Sequence, residues 1–129
     1  MVRLVVLIGL LALSGCSMQG TIPQQPEDVG YAYGSEHPAV VSLMQDAQQA
    51  ASVNNWSKAL SYLDQARRIE PRNPYVLLRQ AEAYGAMGEA ENARSLLQRA
   101  RMYAGDDGQV AAMISQVEDQ LNSRYAPLP

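Results

Sequence analysis

Apolar side chains recur at three- and four-residue spacing from Val40 to Leu121, with polar and charged residues between them. Such spacing marks helices that each bury one stripe against their neighbours. Val40, Leu43, Met44, Ala47, Ala50 and Ala51 form the first stripe, and Pro38, whose fixed φ suits the first turn of a helix, starts it. Trp56, Ala59, Leu60, Leu63, Ala66 and Ile69 form the second. The third begins at Pro74 with Leu77, Leu78, Ala81 and Tyr84, and the fourth uses Ala93, Leu96, Leu97 and Ala100. After Gly105-Asp106-Asp107-Gly108, the residues Val110, Met113, Ile114, Val117 and Leu121 make a fifth stripe, backed by Gln116, Glu118, Asp119 and Asn122. No segment alternates with the period of two that a strand needs. The pattern predicts an all-α domain over residues 38–125, followed by a short tail at 126–129.

Two of these helix pairs are in register, the second following the first by the interval from Leu43 to Leu77. Leu43, Ala47, Ala59, Leu63, Ala66 and Pro71 share their phase with Leu77, Ala81, Ala93, Leu97, Ala100 and Gly105. The order is large, small, small, large, small, breaker, as two antiparallel helices require where their backbones come close. In this period and pattern the chain resembles the tetratricopeptide repeat family, over about residues 40–107. Leu77 stands where the family usually has tryptophan, Ala81 where it has glycine at the helix crossing, and Tyr84 keeps the aromatic. Gly88 ends the first helix of that repeat, and Tyr103 precedes Gly105, which replaces the usual proline. In the earlier repeat Ala50 replaces the tyrosine, Asn54 takes the turn glycine's place because Asn tolerates a left-handed conformation, Trp56 opens the second helix and Pro71 closes it. The resemblance implies a short array of two helix pairs plus a C-terminal capping helix, acting by binding a protein and not by catalysis. Two repeats fall short of the about three that such arrays usually need, so self-association is a further expectation.

The start of the chain has a different character. Arg3 supplies a positive charge, residues 4–13 form an apolar run shorter than a stable membrane span, and Leu13-Ser14-Gly15-Cys16 follows. That tetrapeptide resembles the lipobox of bacterial lipoproteins, which implies a signal peptide over residues 1–15, cleavage before Cys16 and lipidation of Cys16. The plain alternative is a secretory signal with a chance cysteine. Cys16 is the sole cysteine, so an exported location brings no disulfide. In the lipoprotein family a serine such as Ser17 after the cysteine implies sorting to the outer membrane, facing the periplasm. Residues 16–37 read as the lipidated cysteine and a tether punctuated by Gly20, Pro23, Pro26, Gly30 and Gly34. At about 3.5 Å per residue it reaches about 70 Å when fully stretched. Tyr31 and Tyr33 are unusual in such a segment: they either pack on the first helix or serve as exposed anchors for a partner.

Charge and the scarcity of reactive groups exclude several functions. The formal net charge is −3, and loss of Arg3 with the signal would make it about −4, with no cationic cluster of the kind that neutralises phosphates; nucleic acid is not an expected partner. Arg67-Arg68 and the Arg99/Arg101 pair fall in matching last turns of two helices, where cations suit the helix dipole. His37 is the only histidine, so neither a zinc site nor a histidine triad can be assembled, and no metal or cofactor is expected. Asp106-Asp107-Gly108 lacks the further ligands of a calcium loop and reads as a helix cap; Glu89 and Glu91 belong to a first helical turn.

In tetratricopeptide arrays the first helix of each repeat lines the concave face. Carried over by register, that face presents Val41, Met44, Gln48 and Ser52 from one repeat and Tyr75, Leu78, Arg79 and Glu82 from the next. Met44 and Leu78 are equally readable as core. The chaperone-binding members of the family grip a terminal carboxylate here with lysines and asparagines, which this sequence replaces by Met44, Leu78, Gln48 and Glu82. Anchor, tether and small repeat domain together resemble the outer-membrane lipoproteins of pseudomonads that activate a class A penicillin-binding protein in peptidoglycan synthesis. The alternative is a pilotin or assembly factor for a pilus or secretion channel; a cell-wall-cleaving enzyme stands last.

Overall fold

The structure is a computed structural model and describes residues 33–126. The described residues form five helices: α1 (Pro38–Ser52), α2 (Trp56–Ile69), α3 (Pro74–Ala86), α4 (Ala90–Ala104) and α5 (Gly108–Tyr125). No strand occurs among the described residues. The architecture is all-α: two antiparallel helix pairs, α1/α2 and α3/α4, stacked in sequence order and closed by α5.

Short polar residues start four of the five helices by accepting from otherwise unpaired backbone N–H groups. His37 Nδ1 accepts from Ala39 N at 3.2 Å, and Asn55 Oδ1 from Lys58 N at 3.2 Å. Asn73 Oδ1 accepts from Tyr75 N and Val76 N at 2.9 and 3.3 Å, while Asp107 Oδ1 accepts from Gln109 N and Val110 N at 3.0 and 3.1 Å. Glu89, which caps α4, makes no such bond. Asp107→Ala should therefore lower the unfolding free energy by about 0.5–2 kcal/mol, read from urea denaturation. Asp107→Asn, which keeps an acceptor oxygen, should recover most of that loss.

The turns inside the two pairs repeat each other. Asn54 and Gly88, one repeat period apart, have φ of +58° and +86°, and Asn54 is the one non-glycine with positive φ among the described residues. Asn55 N donates to Ala50 O and Glu89 N to Tyr84 O, both at 2.9 Å, closing the same left-handed helix end in each repeat. The phase carries into α5. Val110, Ile114 and Val117 follow Val76, Gln80 and Ala83 by the same period, and all six are buried.

Helix contacts run from α1 to α2, α2 to α3, α3 to α4 and α4 to α5, and α5 also lies on α3. Gly85 permits that last contact. A Cβ there would sit 2.8 Å from Leu121 Cδ2, and Tyr125 donates its hydroxyl to Gly85 O at 3.0 Å. Between the repeats Gln80, fully buried, accepts from Arg67 Nη1 at 3.2 Å and donates to Asp64 Oδ1 at 2.6 Å, so the one polar side chain at the centre of α3 is satisfied from α2.

The chain before α1 is packed on the domain and not tether-like at its last residues. Ser35 is buried and donates to Glu70 Oε1 at 2.7 Å, and Asn73 Nδ2 donates to Gly34 O at 3.2 Å. Tyr33 packs against the core and donates to Gln48 of α1. The ordered unit thus includes residues 33–37, which composition alone assigns to the tether. Cys16, Tyr31 and the rest of the leader lie outside the described residues.

Candidate functional site

While α3 packs closely on α5, it makes no comparable contact with α1. The gap on the α1 side is a pocket of about 110 Å³. From α1 it is lined by Met44, Ala47, Gln48 and Ala51, from α2 by Trp56, Ala59 and Leu63, and from α3 by Arg79, Glu82 and Ala83. Tyr33 completes the lining from the segment before α1. The floor is apolar and the polar groups stand at the rim.

Small residues make this pocket. Ala47, Ala51 and Ala59 allow α1 and α2 to approach closely, yet leave unfilled the volume that larger side chains would take between α1 and α3. At the rim Arg79 Nη1 lies 2.8 and 2.9 Å from the two carboxylate oxygens of Glu82, one turn away on α3. Their side chains are 38% and 30% exposed, so the pair adds little stability and instead holds both groups against each other at the pocket edge. Gln48 is already engaged by the Tyr33 hydroxyl. The rim is polar but, among the described residues, offers no free charge.

Of the residues expected on the concave face, Met44, Gln48, Arg79 and Glu82 come together here, joined by Tyr33, which the sequence places in the tether. Met44, at 2% exposed, forms the floor and is core as much as groove. Leu78 and Tyr75 do not belong to the face: Leu78 is completely buried and Tyr75 is 7% exposed. The reason is the central position of α3, which is covered by α2 and α4 behind, by α5 beside it and by Gly34 lying on the Tyr75 ring, so more than one of its faces is core. Val41 is half-buried and Ser52 exposed, both away from the pocket lining. Trp56 is a member of the site that register does not assign to it, although it is the sole tryptophan and follows the Asn54-Asn55 turn. Among the described residues no group of three or more His, Cys, Asp or Glu side chains could hold a metal ion, and no helix is long and apolar enough to cross a membrane.

The sequence pattern of the tetratricopeptide repeat matches residues 44–117, from the middle of α1 to the middle of α5. The chain belongs to the tetratricopeptide repeat family. Among curated proteins it is similar to the heat-shock protein cognate (HSC) co-chaperone sgt12 of Aspergillus fumigatus, 34% identical over 82 residues, a match covering 64% of this chain and 23% of that protein. This chain therefore corresponds to less than a quarter of its relative's length. No solved structure matches it. A repeat array of this family is typically an interaction scaffold without catalysis.

Proposed function

We propose that the protein is an interaction module that seats a partner segment in the pocket between α1 and α3. The observation that carries this reading is the pocket itself: an apolar floor of Met44, Trp56 and Leu63, ringed by Tyr33, Gln48, Arg79 and Glu82, where the array opens and α1 leaves α3. Large apolar and aromatic side chains with an Arg at the edge are what buried anchor residues of a partner engage best. The co-chaperone relative raises the question of a chaperone tail as ligand. Against it, Arg79 is held by Glu82 and no lysine lines the pocket, so among the described residues a terminal carboxylate finds no free cation there.

The finer reading is a lipid-anchored periplasmic protein at the outer membrane that activates a class A penicillin-binding protein. Its support is the Leu13-Ser14-Gly15-Cys16 sequence and Ser17, together with an interaction domain carried on a short leader. Acyl chains on Cys16 contribute about 0.8 kcal/mol per buried methylene, enough for firm anchoring when several are attached. Cys16→Ala is expected to abolish acyl labelling and release the protein from membrane fractions; acylated, membrane-bound Cys16→Ala protein would remove the lipoprotein reading. In a reconstituted glycan-polymerisation assay the intact protein should accelerate the synthase, and Gln48→Ala with Arg79→Ala should weaken capture by about 1–3 kcal/mol without unfolding the domain. Cleavage of purified cell wall by the protein alone would refute the non-enzymatic reading.

A further inference from the structure

The repeats do not build the whole pocket. One of its walls is Tyr33, which precedes the first repeat helix. Its position is fixed from several directions. The hydroxyl donates to Gln48, and the ring packs against the core. Gly34 follows with φ of +62° and lies so close to Tyr75 that a Cβ would stand 2.1 and 2.4 Å from ring carbons Cδ2 and Cε2. No side chain fits there, and L residues rarely adopt that backbone conformation. Ser35, buried, donates to Glu70 Oε1 at 2.7 Å and accepts from His37 N at 3.0 Å. Asn73 binds both Gly34 O, at 3.2 Å, and Glu70 Oε2, at 2.7 Å, while its Oδ1 caps α3. Residues 33–37 are thus a strap clamped to the α2–α3 corner at one end and to Gln48 at the other.

We infer that this strap is a working part of the docking site, with Tyr33 as a specificity-determining residue that shapes the pocket for one uncharged apolar side chain of a protein partner. The inference rests on the pocket being the docking site. The charge of the occupant follows from the rim. Arg79 and Glu82 neutralise each other, Tyr33 and Gln48 are neutral and mutually bonded, and the floor is apolar. A charged side chain would lose its hydration without gaining a counter-ion, whereas an apolar one displaces water from apolar surface. The strap also joins two properties usually kept apart, because the segment that leads towards residue 16 is the segment that finishes the pocket.

Trp56, the sole tryptophan, lines the same pocket and reports on it directly. The full chain, labelled with nitrogen-15, is titrated with N-acetyl-leucine methylamide, an uncharged apolar side chain on a neutral backbone, and the Trp56 indole N–H resonance is followed. The expected result is a saturable shift for the unaltered protein, little or none for Tyr33→Ala and Gly34→Ala, and a retained shift for Tyr33→Phe, which keeps the ring and drops the hydroxyl. The lysine and glutamate analogues of the probe should give no saturable shift. An equal response in Tyr33→Ala and the unaltered protein would overturn the strap's role while leaving the pocket reading intact. No response in the unaltered protein would overturn the pocket reading itself. A lysine or glutamate probe that shifts the indole as the leucine probe does would overturn the uncharged-anchor assignment. Circular dichroism of each variant establishes that the helices are retained, and Tyr33→Ala, at a half-buried surface position, decides the matter if Gly34→Ala fails to fold.

Discussion

Leu78→Ala is expected to lower the unfolding free energy by about 2–5 kcal/mol, the range for removing a fully buried leucine and leaving a cavity behind. Leu78 is completely inaccessible, on a helix in contact with α2, α4 and α5. Each of those neighbours is fixed by its own packing, so the hole cannot collapse easily. Domains of this size are stable by about 5–15 kcal/mol, which makes this one substitution a large fraction of the total. Urea denaturation followed by circular dichroism measures it. The adjacent Arg79→Ala, half-exposed at the pocket rim, supplies the contrast and should shift stability by no more than about 0.5–1 kcal/mol. If the two substitutions exchanged these effects, Leu78 would be a groove residue and α3 would be rotated from its position here.

Which of these features can be read from the sequence depends on the range of the interactions behind them. Ala93, Leu97 and Ala100 are legible because the small and large residues that meet at a helix crossing recur after one repeat period, and each proves fully buried. Asn54 is legible for a similar reason: its place in the repeat demands the left-handed conformation that Gly88 adopts one period later. Tyr75 and Leu78 are not. Register assigns them the phase of the concave face, but how far that face is open depends on the distance between neighbouring first helices, which closes between α3 and α5 and opens between α1 and α3. Period alone treats those two junctions as equivalent. Gly85 against Leu121 makes one of them tight, and alanines at Ala47 and Ala51 leave the other with space.

The strap escapes a periodic reading altogether. Gly34 and Ser35 have the composition of a linker, and what makes them structural is the Tyr75 ring at the start of α3 and the carboxylate of Glu70 at the end of α2. Such contacts have no local signature. Trp56 is hidden differently. It is the first residue of α2, a second helix of a repeat, which by family geometry faces away from the groove; the gap between α1 and α3 exposes it to the pocket from behind.

The tight junction yields the other large expected effect. Ala93, in the first turn of α4, is fully buried, and its Cβ lies 4.0 Å from where a Gly85 Cβ would stand, a point only 2.8 Å from Leu121 Cδ2. Helices α3, α4 and α5 therefore converge on one spot occupied by a glycine, an alanine and the tip of a leucine. Ala93→Leu adds three carbons there and should overpack the junction, costing about 1–3 kcal/mol in urea denaturation. Ala111→Leu, at an exposed position on α5, introduces the same side chain into a helix and should stay within about 0.5 kcal/mol of the unaltered protein. The decisive measurement is the pair. Leu121→Ala alone opens a cavity, but in combination with Ala93→Leu it supplies the room the new leucine needs. The double variant should thus be more stable than the sum of the single losses by about 0.5–3 kcal/mol, the coupling expected of residues in contact. Strict additivity would mean that Leu121 does not reach the α3–α4 crossing, and that α5 closes the array by some other contact.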